Sequence, residues 1–154
     1  MTYADGFNIR STSANFDGVA NALDGLLAAY SVATATSSIT TTSTSFVDYT
    51  GASLALTINS GEIVILRASL AVSVSVTVPN KIHAQFIQDG VAIGIDNQFM
   101  CRTANAGGDE TNLSLFHIIA PAAGAHTYKV QWKVQGGTGN SSKYYFAVMV
   151  LQNT

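Results

Sequence analysis

A β-strand that covers a single hydrophobic core alternates apolar with polar residues, because successive side chains leave opposite faces of the sheet. Residues 143–152 (KYYFAVMVLQ) break that rule. Tyr144, Phe146, Val148 and Val150 form one apolar row, and Tyr145, Ala147, Met149 and Leu151 form a second. One row can fill the core of the chain that carries it. The second needs another apolar surface, from a further layer of the same chain or from another subunit. In a chain of 154 residues the second subunit is the expected source. Tyr144, Tyr145, Phe146, Ala147, Met149 and Leu151 are therefore the expected subunit-contact residues.

Composition supports a β-protein with a largely uncharged surface. Charged residues make up 10% of the chain, against a typical share of about 25%. Hydrophobic residues make up 47%, and Ser, Thr, Gly and Asn supply most of the rest. The seven Lys and Arg residues are scattered and the net charge is −2, so nothing tracks a phosphate backbone and no nucleic-acid partner is expected. Cys101 is the only cysteine, which excludes an intrachain disulfide and leaves a small apolar filler as its expected role. No apolar run reaches the roughly 18 residues of a membrane helix, and no membrane partner is expected. Residues 23–35 imitate the apolar core of a secretory leader. Asp17, Asp24 and the solitary upstream basic residue Arg10 argue against one, so use without secretion is expected.

Beyond residue 45 the chain reads as strands separated by turn signals at short intervals. Residues 62–78 alternate over their whole length, with Val64, Leu66, Leu70, Val72, Val74, Val76 and Val78 on one side and Arg67, Ser69, Ser73, Ser75 and Thr77 on the other. Asn59-Ser60-Gly61 and Asp89-Gly90 are turns, the second a strong hairpin signal. In residues 125–135, His126, Tyr128, Val130, Trp132 and Val134 face a core, and Thr127, Lys129, Gln131, Lys133 and Gln135 face water. Residues 136–142 read as a loop. The pattern predicts an all-β jelly-roll sandwich or barrel of about eight antiparallel strands over residues 36–154.

Residues 1–35 read as an N-terminal extended arm and short amphipathic helix. Phe16, Val19, Leu23, Leu26 and Tyr30 recur at spacings of three and four, with Leu27 beside them, which predicts one apolar stripe on a helix over residues 15–30. Ser13 or Asn15 can cap its start, and Asp17 suits the positive end of the helix dipole. Gly18 and Gly25 each weaken an isolated helix by about 1 kcal/mol relative to Ala. So short a helix needs a surface to dock on. With Tyr3 and Phe7 of the arm, this stripe is the expected attachment surface.

Catalytic and metal chemistry find little support. His83, His117 and His126 lie at no metal-ligand spacing with one another or with Cys101, and no nucleophile elbow, phosphate loop or zinc motif occurs. Asp89, Asp96, Asn97, Asp109 and Glu110 offer oxygens in loops, but turn chemistry explains Asp89-Gly90 and a solvated loop explains Gly108-Asp109-Glu110. No enzyme, metal or cofactor is expected.

Residues 38–48 (SITTTSTSFVD) with Gly51-Ala52-Ser53-Leu54 resemble the opening strands of small jelly-roll domains in tailed-phage structural proteins. Pro121-Ala122-Ala123-Gly124-Ala125-His126-Thr127-Tyr128 is similar to the start of the penultimate strand in those domains and in trimers of the tumour-necrosis-factor/C1q type. The resemblance covers about residues 36–152 and implies a homotrimer with the aromatic last strand at its three-fold contact. With the N-terminal extension it implies a phage capsid decoration (cement) protein. Its partners would be itself and the major capsid protein shell, and its place the virion exterior after assembly in the host cytoplasm. The alternative is a tail-fibre or receptor-binding head domain that recognises a host surface ligand.

Overall fold

A computed structural model describes residues 27–75, 80–94, 99–103 and 110–152. Ten strands run in order: β1 Leu27–Ala35, β2 Ile39–Thr41, β3 Val47–Ile58, β4 Ile63–Ser75, β5 Asn80–Gln88, β6 Val91–Ile93, β7 Phe99–Thr103, β8 Thr111–Ile119, β9 Gly124–Val134 and β10 Thr138–Leu151. They form two sheets, β1-β10-β4-β8 and β3-β9-β5-β6, with β2 also on β10 and β7 also on β5. Every pairing is antiparallel. β1 and β2 follow one another along the same edge of β10, and β6 and β7 share one edge of β5. Ten segments thus fill eight strand positions, four per sheet, in the order of a jelly roll.

The core lies between the sheets and is built by the alternating rows read from the sequence. Val64, Leu66, Ala68, Leu70, Val72 and Val74 enter it from β4, and Tyr128, Val130, Trp132 and Val134 from β9. Aromatic rings occupy its centre. Tyr49 packs against Trp132 at 4.9 Å and edge-on against Tyr144 at 5.1 Å, while Phe86 stacks on Phe146 at 6.0 Å. Such contacts add to area burial because ring edges and faces carry opposite partial charge. The turn at Asn59 is closed by the Glu62 carboxylate, which accepts from Asn59 N at 2.7 Å and Asn59 Nδ2 at 2.8 Å.

Two bulges reset the alternation. In β3 the register shifts between Asp48 and Ser53, so Tyr49 points inward before the shift and Ala52 and Ile58 after it. Gly51 supplies the left-handed φ of +84° there, and a Cβ on it would collide with the Tyr144 hydroxyl. In β10 the shift lies between Ser141 and Lys143. Gly139 and Ser141 are buried before it, and Tyr144, Phe146, Val148 and Val150 after it. A Cβ on Gly139 would come within 2.5 Å of Val134 Cγ1, so β9 and β10 approach too closely there for a side chain. The buried Ser141 hydroxyl accepts from the Tyr49 hydroxyl and donates to Ala71 O at 2.8 Å.

Several expectations are corrected. Residues 138–142 are strand, not loop, because the bulge and the close-packed Gly139 interrupt the apolar period without ending the hydrogen-bond ladder. Leu27 and Tyr30, expected at the end of a helix, lie in β1, where Tyr30 pairs with Met149 and Val32 with Ala147. The open edge of β10 offers these residues a full ladder of hydrogen bonds, which overrides a weak helical period. Tyr3, Phe7, Phe16, Val19, Leu23, Leu26 and the rest of the expected arm and helix lie outside the described residues. Tyr144 and Phe146, expected at a subunit contact, belong to the chain's own core, Phe146 at 0% exposure. Replacing Phe146 with Ala is expected to lower unfolding free energy by about 3–5 kcal/mol. Urea denaturation measures this, and a loss under about 1 kcal/mol would contradict the core position.

Candidate functional site

Once one row of β10 is spent on the core, the other emerges on the outer face of the β1-β10-β4-β8 sheet. The register aligns this face in rows across the strands. Leu27, Leu151 and Ile63 form the first, and Tyr30, Met149, Ile65 and Ile118 the second. Val32, Ala147, Arg67 and Phe116 form the third. Thr34, Tyr145, Ser69 and Ser114 follow, and then Lys143, Ala71 and Asn112. One end of the face is therefore apolar and the other polar, with Arg67 at the boundary.

The apolar end is open to solvent. Phe116 is 56% exposed, and Ile118 and Tyr30 are each 52% exposed. Leu27, Val32 and Ile63 are also exposed, so six of the eight exposed large hydrophobic residues among the described residues lie on this one face. Large contiguous apolar patches are uncommon on the surface of monomeric proteins. Tyr30 and Tyr145 join their hydroxyls at 2.6 Å across β1 and β10. That hydrogen bond is the main reason the Tyr30 phenol is held above its usual range.

The outer face of the other sheet has the opposite character. Asp48 accepts from Lys129 Nζ at 2.7 Å and from Gln131 Nε2 at 2.8 Å, and Gln85 Nε2 donates to Gln131 Oε1 at 3.1 Å. These donors hold the Asp48 carboxyl below its usual range, with Lys129 the larger influence. Lys133 Nζ sits 4.4 Å above the Phe46 ring.

The expected contact residues now sort by face. Tyr145, Ala147, Met149 and Leu151 lie together on the outer face, and Ala147 is already fully covered by its neighbours. Leu27 and Tyr30, expected in the attachment set, join the same surface through β1. Sequence reasoning missed Phe116, Ile118, Ile63 and Ile65. A signal for β8 was present, since Leu113 and Leu115 occupy one row and Phe116 and Ile118 the other, the doubly apolar signature of β10.

Asp89, Glu110 and His126 find local partners. Asp89 Oδ1 accepts from Thr127 N at 2.7 Å, and Asp89 Oδ2 lies 2.6 Å from His126 Nδ1. Glu110 accepts from the Ser142 hydroxyl at 2.6 Å. His117 stands opposite Leu66, and Cys101 opposite Ile82 in the β5–β7 register. Asp96, Asn97 and Asp109 lie outside the described residues.

No family model matches the sequence, and no curated protein matches it. Among solved structures the chain is similar to Eiger TNF from S. frugiperda at 7% identity and a TM-score of 0.39, covering 81% of this chain and 94% of that one. It is also similar to dimeric latent PorU from Porphyromonas gingivalis at 11% identity and a TM-score of 0.37, covering 82% of this chain and 13% of that one. Neither likeness bears on what the chain does. The jelly-roll assignment rests on the strand order and pairing of its own sheets.

His126 gives a pH dependence of known sign. Its Nδ1 faces the Asp89 carboxylate and its Nε2 faces Ala122 O at 2.8 Å, so only the doubly protonated ring donates to both. Asp89 first, and Ala122 second, hold the imidazole above its usual range. The contribution of His126 is therefore complete below the unfolded value of about 6.5 and is lost as pH rises through the higher folded value. Asp89, held below its usual range mainly by Thr127 N, loses its contribution only as pH falls through its lower folded value. The urea midpoint is expected to drop between about pH 6 and about pH 9, and His126→Gln to flatten that slope. An unchanged slope in the variant would assign the dependence elsewhere.

Proposed function

We propose that this chain is a non-enzymatic virion structural protein. It forms a homotrimer through the outer face of the β1-β10-β4-β8 sheet and decorates the exterior of a phage capsid shell. The single observation that carries this reading is the contiguous apolar end of that face, with Tyr30, Met149, Ile65 and Ile118 aligned in one row. Covering a fully exposed large apolar side chain contributes roughly 1.5–3 kcal/mol, and half-exposed positions such as these contribute about half of that. Several such positions repeated at every contact suffice to offset the loss of subunit freedom.

The count of three comes from the resemblance of the aromatic last strand and the 121–128 segment to trimeric jelly rolls. The capsid role draws on the resemblance of residues 38–54 to phage structural proteins. The apolar stripe of Phe16, Val19, Leu23 and Leu26 precedes β1 directly and supplies the attachment surface. Three copies on one trimer reinforce one another, because each bound copy raises the effective concentration of the next. Shell stabilisation then needs no strong single contact.

Two variants separate the parts of this reading. Phe116→Asp with Ile118→Asp is expected to give folded monomers, since both side chains lie outside the core. Leu23→Asp with Leu26→Asp is expected to leave the trimer intact and abolish binding to purified capsid shells, measured by co-sedimentation. Trimers that bind shells equally well with both leucines replaced would refute the attachment role.

A further inference from the structure

The polar end of the β1-β10-β4-β8 outer face holds a recess of about 370 Å³, lined by Ser69, Ala71, Asn112, Lys143, Tyr144 and Tyr145. We propose that this recess binds a pyranose sugar ring, as one unit of a glycan. The inference goes beyond the assembly role and does not depend on it. The recess lies on the polar side of Arg67, whereas subunit contact is assigned to the apolar rows on the other side.

Side-chain size across the strands makes the recess. Tyr145 of β10, Ser69 of β4 and Ser114 of β8 share one row, and Lys143, Ala71 and Asn112 share the next. The central strand thus contributes small side chains, with a phenol and an ammonium chain on one side and an amide on the other. These sizes leave a trough along β4 that has an aromatic residue in one wall and polar groups in both.

A pyranose presents apolar C–H patches on its ring faces and a rim of hydroxyls that both donate and accept. Its recognition calls for aromatic surface beside a few fixed polar groups. The trough offers both. Tyr145 is half-buried and its hydroxyl is joined to that of Tyr30 at 2.6 Å, so its ring is held at the far end. The Ser69 hydroxyl donates to Asn112 Oδ1 at 2.8 Å. That bond orients the amide and leaves its Nδ2 hydrogens and the Ser69 oxygen lone pairs for a ligand. Groups fixed in advance lose less freedom on binding. Lys143 is exposed, and its ammonium makes no hydrogen bond or ion pair with the described residues. Glu110, at the same end of the sheet, is engaged by the Ser142 hydroxyl. An ammonium left in this state suits a sugar hydroxyl and, more strongly, a sugar carboxylate.

The test is an NMR titration of the full-length protein, following the backbone amides of Ser69, Asn112, Lys143 and Tyr145. Glucose, galactose, N-acetylglucosamine and glucuronate are added separately at millimolar concentration, against chloride of matched ionic strength for the charged sugar. The expected result is a saturable shift of these amides with at least one sugar. Tighter binding of glucuronate than of glucose would show Lys143 reading a carboxylate, and equal binding would show recognition of the ring and its hydroxyls alone. Asn112→Ala is expected to weaken binding about fivefold. Ala71→Phe fills the trough from the outer face and is expected to abolish binding. Lys129→Gln, on the opposite sheet, should leave binding unchanged. Absence of a saturable shift with all four sugars, or binding unaltered in either Asn112→Ala or Ala71→Phe, would overturn the proposal.

Discussion

Strand β10 is hydrogen-bonded along both edges, to β1 and β2 on one side and to β4 on the other. A strand held in this way displays two complete rows of side chains, and a two-layer sandwich absorbs only one. Phe146, Val148 and Val150 fill that place, against Phe86 and the β4 row. Tyr145, Met149 and Leu151 are left half-buried on the outer face of the sheet. The other strands of the sheet conform to this arrangement. β1 presents Ala29, Ala33 and Ala35 inward, where space is short, and Tyr30 and Val32 outward. β8 repeats the division with Leu115 inside and Phe116 outside.

The two outer faces then differ in chemistry although both belong to antiparallel sheets. On one, polar side chains pair across strands, as with Asp48, Lys129, Gln131 and Gln85. On the other, apolar rows run across β1, β10, β4 and β8 and give way to Ser and Asn only at one end. The sandwich therefore has one polar outer face and one largely apolar outer face.

Much of the fold was legible because strand alternation is strict in β4 and β9, where every second residue from Val64 to Val74 and from Tyr128 to Val134 is buried. The errors arose where that period fails. The β10 bulge at Ser141–Lys143 hid five residues of strand, and the β3 bulge moved inward positions from Tyr49 to Ala52. For Leu27 and Tyr30 a helical spacing competed with the edge of a distant strand, and pairing across more than a hundred residues cannot be read from local period. Two apolar rows were visible in the last strand, but the residues alone did not say which row faces inward. Contacts of Tyr144 and Phe146 with Tyr49 and Phe86 decide that. The site suffered from the same limit, since Phe116 and Ile118 join the surface only through the β4–β8 register.

Sedimentation equilibrium of the full-length protein over a wide concentration range tests most directly whether the outer row of β10 is buried against other copies. The account predicts a single species of three times the 16.1 kDa chain mass, stable on dilution. A species that stays at the mass of one chain at every concentration would contradict it.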